Sequence, residues 1–156
     1  MRGAGGSSRL TSSADLGLLV LRLGPAVVFA VHGYLKLLGG AFDRTVALFM
    51  AVNIPVPEAM AWAVGAIELA GGILLALGLW TRIAAAVLAV EMAVAIARVR
   101  WPQGFVGAAE FEFVLLLVCL ALFGTGSGKF SIDAARRTPA GAHGRRAGRR
   151  LWRKLS

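Results

Sequence analysis

The chain of 156 residues has one cysteine, two histidines and little charge, and each scarcity excludes a class of function. A single thiol, Cys119, closes no intramolecular disulfide and forms no Cys-x-x-Cys pair for thiol exchange or zinc. His32 and His143 lie far apart in sequence, so the clustered His and Cys residues of a metal centre are lacking, and no metal site is expected. No haem, flavin, iron–sulfur or Rossmann pattern occurs, so the chain brings no electron carrier of its own and is not expected to be a standalone enzyme. Period-two alternation is missing, which excludes a transmembrane β-barrel. Only 16% of residues are charged, where soluble domains have about a quarter.

What is present is apolar: 58% of residues are hydrophobic and the mean hydropathy is +0.73. The apolar residues fall into four runs, Leu16–Leu38, Met60–Leu79, Ile83–Val99 and Phe111–Thr125. A helix that is apolar all round needs apolar surroundings. The expected fold is therefore all-α, a transmembrane four-helix bundle. The third and fourth runs are short of the ~20 residues a crossing needs, so their ends extend into the flanking loops. The first run is longer than a signal-peptide core and continues into Gly39-Gly40-Ala41-Phe42-Asp43-Arg44, which marks it as a retained span. Three segments follow: a Gly/Ser/Thr-rich, disordered lead over 1–15, a four-span membrane domain over 16–133, and a basic tail over 134–156.

Charge is unevenly placed. Residues 1–128 hold eight Lys/Arg against seven Asp/Glu, whereas residues 129–156 hold nine against one. Such a tail stays cytoplasmic, and an even number of crossings places the N-terminus there too; Arg98 and Arg100, on the outside, run against this rule. Within the tail, Arg145, Arg146, Arg149, Arg150 and Arg153 alternate with Leu151, Trp152 and Leu155. That pattern fits an interfacial helix attracted to anionic lipids. A solvated, topology-setting tail is the plainer alternative. Nucleic-acid binding is disfavoured, because no recognition module accompanies the arginines.

The ionisable residues inside the runs carry the functional argument, since each costs ~2.5–3.5 kcal/mol at mid-bilayer and so requires a partner. Arg22, His32 and Lys36 share a helical sector about 80° wide. Glu68 lies mid-run on a stripe with Ala61, Gly65 and Gly72, Glu91 shares a face with Arg98, and Glu112 shares one with Cys119. Three cations, Arg22, Lys36 and Arg98, thus balance three acids, Glu68, Glu91 and Glu112, as one internal network. It holds the helices in register, or it lines a polar cavity for a small ligand, an ion or a quinone headgroup. A third reading has charged ends snorkelling to the interface, foremost Lys36, Arg98 and Glu110. The cavity candidates are Arg22, His32, Lys36, Glu68, Glu91 and Glu112. Arg22, His32 and Lys36 are the candidate partners of Glu68, His32 being the closest in depth, and a proton-handling role for His32 is open. Cys119 reads as a small buried hydrophobe.

Three stretches resemble the DoxX family in order and spacing: His32-Gly33-Tyr34-Leu35-Lys36, Gly65-Ala66-Ile67-Glu68-Leu69-Ala70-Gly71-Gly72 with Gly78 and Thr81-Arg82, and Gly126-Ser127-Gly128-Lys129-Phe130-Ser131-Ile132-Asp133. Ser127 replaces the family's usual proline. Glu110 and Glu112 compete for its acidic position in the fourth span, and spacing favours Glu112. The resemblance implies a small four-helix protein of the bacterial inner membrane, in a family partly associated with quinone-linked redox systems. The related chemistry of vitamin K epoxide reductase needs paired cysteines and is excluded. Two functions follow. One is a subunit or accessory factor of a membrane redox system, with quinone as the implied cofactor and redox proteins as partners. The other is a non-catalytic scaffold or small-solute carrier whose ion pairs are structural.

Overall fold

The computed structural model describes residues 6–137, with side chains from Ser13 onward. Among them there are six α-helices and no strand: α1 (Gly6–Leu37), α2 (Phe42–Ala51), α3 (Pro57–Leu77), α4 (Thr81–Ala95), α5 (Glu110–Thr125) and α6 (Ile132–Arg137). A five-residue π turn, Ile96–Arg100, prolongs α4, and a 3₁₀ turn at Trp101–Gln103 leads toward α5. The all-α expectation holds; that of a plain four-helix bundle holds only in part. Three segments are long and apolar enough to cross a membrane, Ser13–Leu37, Pro57–Leu77 and Phe105–Thr125. Helix α4 has 15 residues, or about 22 Å at 1.5 Å per residue.

The four long helices touch in a closed cycle, α1 with α3, α3 with α4, α4 with α5 and α5 with α1. Glycines set the closest of these contacts. A Cβ on Gly33 would overlap Leu69 N and come within 2.6 Å of Gly65 O, and one on Gly72 would overlap Ala30 N. The backbones of α1 and α3 therefore touch at two levels, and the pairing of 33 with 65 and 69, and of 30 with 72, makes them antiparallel. Small interface residues are how helices associate where burial from water supplies no drive. Ala26, Ala84, Ala85 and Ala89 extend that pattern into a core completed by Phe29, Leu75, Leu88, Met92, Leu115, Cys119 and Leu122. Large apolar side chains such as Val27, Val90, Val94, Leu117 and Leu120 point outward. An apolar core inside an apolar exterior is the signature of a membrane protein.

Helix ends follow local chemistry. Helix α3 starts on Pro57, whose missing N–H costs nothing there, and stops at Gly78 (φ 64°), with Leu79 N–H reaching back to Leu74 O at 3.0 Å. Helix α5 stops at Gly126 (φ 81°).

Two segments depart from the sequence reading. The lead expected to be disordered is helical from Gly6, continuous with α1, which accommodates Gly17, Gly24 and Pro25 within its length. The stretch after the first run, to which no element was assigned, contains α2, whose Thr45 and Phe49 are buried one turn apart while Phe42 meets Trp62 at 5.1 Å between ring centroids. Of the basic tail, residues 138–156, including Arg145 to Arg153, lie outside the described part.

Candidate functional site

Helix α3 brings Glu68 into the bundle interior, where only 3% of the residue is exposed. Its partner is Lys36, in the last turn of α1, with Nζ 2.6 Å from Glu68 Oε2. Gly65 makes this approach possible: a Cβ there would lie 2.8 Å from the Leu37 side chain and 3.3 Å from Lys36 Cβ. The aliphatic stem of Lys36 therefore crosses α3 at Gly65 and delivers its ammonium one turn further along, to Glu68. The contact is short but off the hydrogen-bonding direction, so Glu68 Oε2 accepts no aligned bond. It is an ion pair held by charge.

Helix α4 adds a second acid. The Glu91 carboxyl lies within electrostatic range of both Glu68 and Lys36. Cys119 of α5 is fully buried and within the same range of Glu91. Three helices thus place two carboxyls and one lysine together inside an apolar body. As carboxylates, Glu68 and Glu91 can only accept, so a bond between them exists only when one of them holds a proton. The cluster carries a net charge of −1 when both are ionised and is neutral with one proton bound. One oxygen of Glu91 is buried with no hydrogen-bond partner in the described residues.

A separate pair spans α4 and α5. Arg100 Nε lies 2.7 Å from Glu112 Oε1. Glu112 is buried and Glu110 exposed, which makes Glu112 the interior acid. The cation is Arg100 and not Arg98, which is exposed. The π turn at Ile96–Arg100 takes this end of the helix out of the 3.6-residue register on which the choice of Arg98 rested.

Two further candidates do not join the cluster. His32 is exposed; its Nδ1 pairs with Val28 O on its own helix at 2.8 Å, and its ring lies 6.0 Å from that of Phe111. Of the three candidate partners of Glu68, Lys36 therefore takes the place, and His32, the closest in depth, does not. Arg22 is 2% exposed and lies fourteen residues from Lys36, about 21 Å along α1. Its Nη1 donates to Ser127 O at 2.6 Å and its Nη2 to Phe130 O at 2.7 Å. The network read as single is thus three separate sets.

The partners of Arg22 belong to a clasp formed by the stretch from Gly126 to Asp133, for which residue identity alone suggests no role. Asp133 accepts from Trp80 N–H at 2.9 Å and Thr81 N–H at 3.1 Å, capping the start of α4, and donates its own N–H to Gly78 O. Trp80 has a positive φ of 47°, a costly conformation for a bulky residue, and the Asp133 bond holds it there. Ser131 Oγ donates to Gly128 O at 2.7 Å and accepts from Ala134 N–H at 3.1 Å, capping α6. Lys129 Nζ meets Asp15 at 2.8 Å. The segment 126–133 thereby ties α1, the α3–α4 turn and α5 together at one end.

The sequence has known relatives. The DoxX family model matches residues 17–101, which include His32, Lys36, Glu68, Glu91 and Arg100. The chain is 36% identical over 124 residues to a Bacillus subtilis protein named "Putative oxidoreductase CatD", covering 80% of this chain and 90% of that one. It is 42% identical over 78 residues to an "Uncharacterized protein" of Haemophilus influenzae, covering 50% and 54% respectively. No solved structure matches significantly. With more than half its length inside the family model and a relative aligned over most of both chains, this membrane protein belongs to the DoxX family.

Proposed function

We propose that the protein is a subunit or accessory factor of a membrane redox system, and that Lys36, Glu68 and Glu91 receive the polar headgroup of a quinone. The observation that carries this reading is the gathering of two acids and one lysine from three helices inside an apolar bundle. A structural ion pair needs one acid per base, and the second acid is surplus to that need. Reduction of a quinone to a quinol takes up two electrons and two protons. The electrons belong to a partner protein, in keeping with the oxidoreductase name of the relative. The share of this chain is to bind the headgroup and exchange protons at the Glu68 and Glu91 carboxyls.

The same reading has four crossings, with α4 and its π turn together making the fourth, and both chain ends in the cytoplasm. The α4 segment then reaches across at 15 plus 5 residues, close to the ~20 that a span requires.

The test is retention of menaquinone by the full-length protein purified in mild detergent. The wild type retains it, and Glu91→Gln, which leaves the Lys36–Glu68 pair intact, lowers retention without lowering the melting temperature. A second reading, a scaffold with structural ion pairs only, draws on Arg22 and Asp133, whose charges are spent on the clasp. Equal retention by wild type and Glu91→Gln favours that reading and removes the redox one.

A further inference from the structure

The clasp leaves a cleft of about 390 Å³ on the end of the bundle where α4 begins and α5 ends. Its walls come from α1, α4, the segment after α5, and α6, and they include Arg82, Lys129 and Arg137 with Asp15 as the acid. Three cations against one carboxylate leave a charge of +2.

The cations are placed with donors to spare. Arg82 Nη2 donates to Gly124 O at 3.2 Å, and its Nε lies 3.3 Å from where a Gly126 Cβ would be, so the guanidinium lies over the glycine. Its remaining N–H groups have no bond within the described residues. Lys129 is held by Asp15 through both its ammonium and its backbone N–H, at 2.8 and 3.3 Å, which leaves ammonium hydrogens for another acceptor. Arg137 is exposed and makes no described bond. Convergent Arg and Lys donors of this kind suit a phosphate.

The surroundings decide which phosphate. Arg82 is the second residue of α4, and Gly126 follows the last residue of α5. Both stand where apolar helices end, the depth at which lipid phosphates lie. Leu18 lines the cleft, and Ile83 and Phe130 beside it are 64% and 52% exposed. These side chains give an acyl chain an apolar path away from the headgroup.

We propose that this cleft binds the phosphate of an acidic phospholipid, with Arg82, Lys129 and Arg137 as its ligands. The site is built without the arginines at 145–153 and does not depend on the redox reading.

The experiment is native mass spectrometry of the full-length protein given equal phosphatidylglycerol and phosphatidylcholine. Retention of phosphatidylglycerol over phosphatidylcholine is expected. Arg82→Gln and Arg137→Gln each weaken it roughly fivefold, the order expected for one basic residue at an anionic membrane surface. Arg137→Gln breaks no described bond, so it reads the site even if Arg82→Gln perturbs the fold. Full-length protein with Arg145→Gln and Arg149→Gln retains the lipid, and millimolar inorganic phosphate does not displace it. Equal retention of the two lipids overturns the proposal, as does loss in the tail variant alone. Displacement by inorganic phosphate would reassign the cleft to a free anion and also overturn it.

Discussion

Arg22 and Ser127 are separated by 105 positions in sequence, and the Arg22 guanidinium donates to the Ser127 carbonyl at 2.6 Å inside the protein. A second nitrogen of the same group donates to Phe130 O, so one planar fork spans two carbonyls of the closing segment. A lysine ammonium is a point charge and cannot reproduce that fork. Arg22→Lys is expected to cost about 2–3 kcal/mol, the worth of a buried hydrogen bond to a charged group. A lowered melting temperature in detergent, together with faster proteolysis after residue 125, would report it. An unchanged melting temperature would show that the clasp holds without the fork.

Asp133 is expected to matter through α4. Its carboxylate accepts from the Trp80 and Thr81 N–H groups, at a helix N-terminus where a negative charge also meets the favourable end of the helix dipole. Asp133→Ala should cost ~1–2 kcal/mol, as loss of a capping side chain does. Hydrogen exchange at the Thr81 amide should accelerate, while exchange at the centre of α3 stays slow. Asp133→Asn keeps an acceptor and should fall between. Equal exchange at Thr81 in all three proteins would dismiss the capping role.

Much of this was legible in the sequence. The apolar runs give the long helices, and spacing to the Gly-x-Gly selects Glu112 over Glu110. The failures have particular causes. His32 and Lys36 share a helical sector, but Lys has the longer reach, and Gly65 opens its path to Glu68. His32 is left to pair with a carbonyl of its own helix. Arg100 replaces Arg98 because a π turn has no distinctive sequence signal and shifts the face beyond it. The acceptors of Arg22 are backbone carbonyls, which residue identity does not reveal. Helix α2 escaped notice because its ten residues lie between turns in a stretch less apolar than the runs beside it.

The glycines of α1 give a contrast between two positions on one helix. A methyl on Gly33 would meet backbone atoms of α3, which cannot move aside as a side-chain tip can, whereas a methyl on Gly17 meets nothing within 4 Å. Gly33→Ala is expected to destabilise by at least ~1–3 kcal/mol, the range for overpacking. Gly17→Ala should be neutral or stabilising by up to ~1 kcal/mol, because alanine favours the helix. Melting temperatures of the two variants, measured in one detergent, decide it. Equal values would mean that α1 and α3 are not in backbone contact.

Topology is open to labelling. On a Cys119→Ala background, cysteines at Arg44 in α2 and at Arg82 at the start of α4 should label from opposite sides of the membrane. An impermeant maleimide added to intact cells should reach position 44 only. Labelling of both positions from outside would contradict four crossings with cytoplasmic ends.

The Lys36–Glu68 pair allows structural and ligand-binding roles to be separated. Its atoms approach to 2.6 Å, and the Glu68 side chain is 4% exposed against 21% for Lys36. Removing one member leaves a buried charge without its partner, typically at a cost of ~3–5 kcal/mol, whereas replacing both with apolar groups of similar size is often close to neutral. Glu91 modifies this expectation. When Lys36 is replaced by Met, Glu68 and Glu91 face each other without a cation, so this single substitution should be the more damaging of the two. Glu68→Gln leaves Lys36 within electrostatic range of Glu91 and should be milder. The double variant should recover much of the loss, giving a coupling between the two positions of ~1–3 kcal/mol, within the range for residues in one ion-pair network. A parallel cycle with His32→Ala and Glu68→Gln should be additive, because His32 is bonded to Val28 O. Coupling in the His32 cycle and additivity in the Lys36 cycle would reverse the assignment. A double Lys36→Met, Glu68→Gln variant that melts near the wild-type temperature yet fails to retain menaquinone would place the pair in ligand binding, since its contribution to folding would then have been replaced.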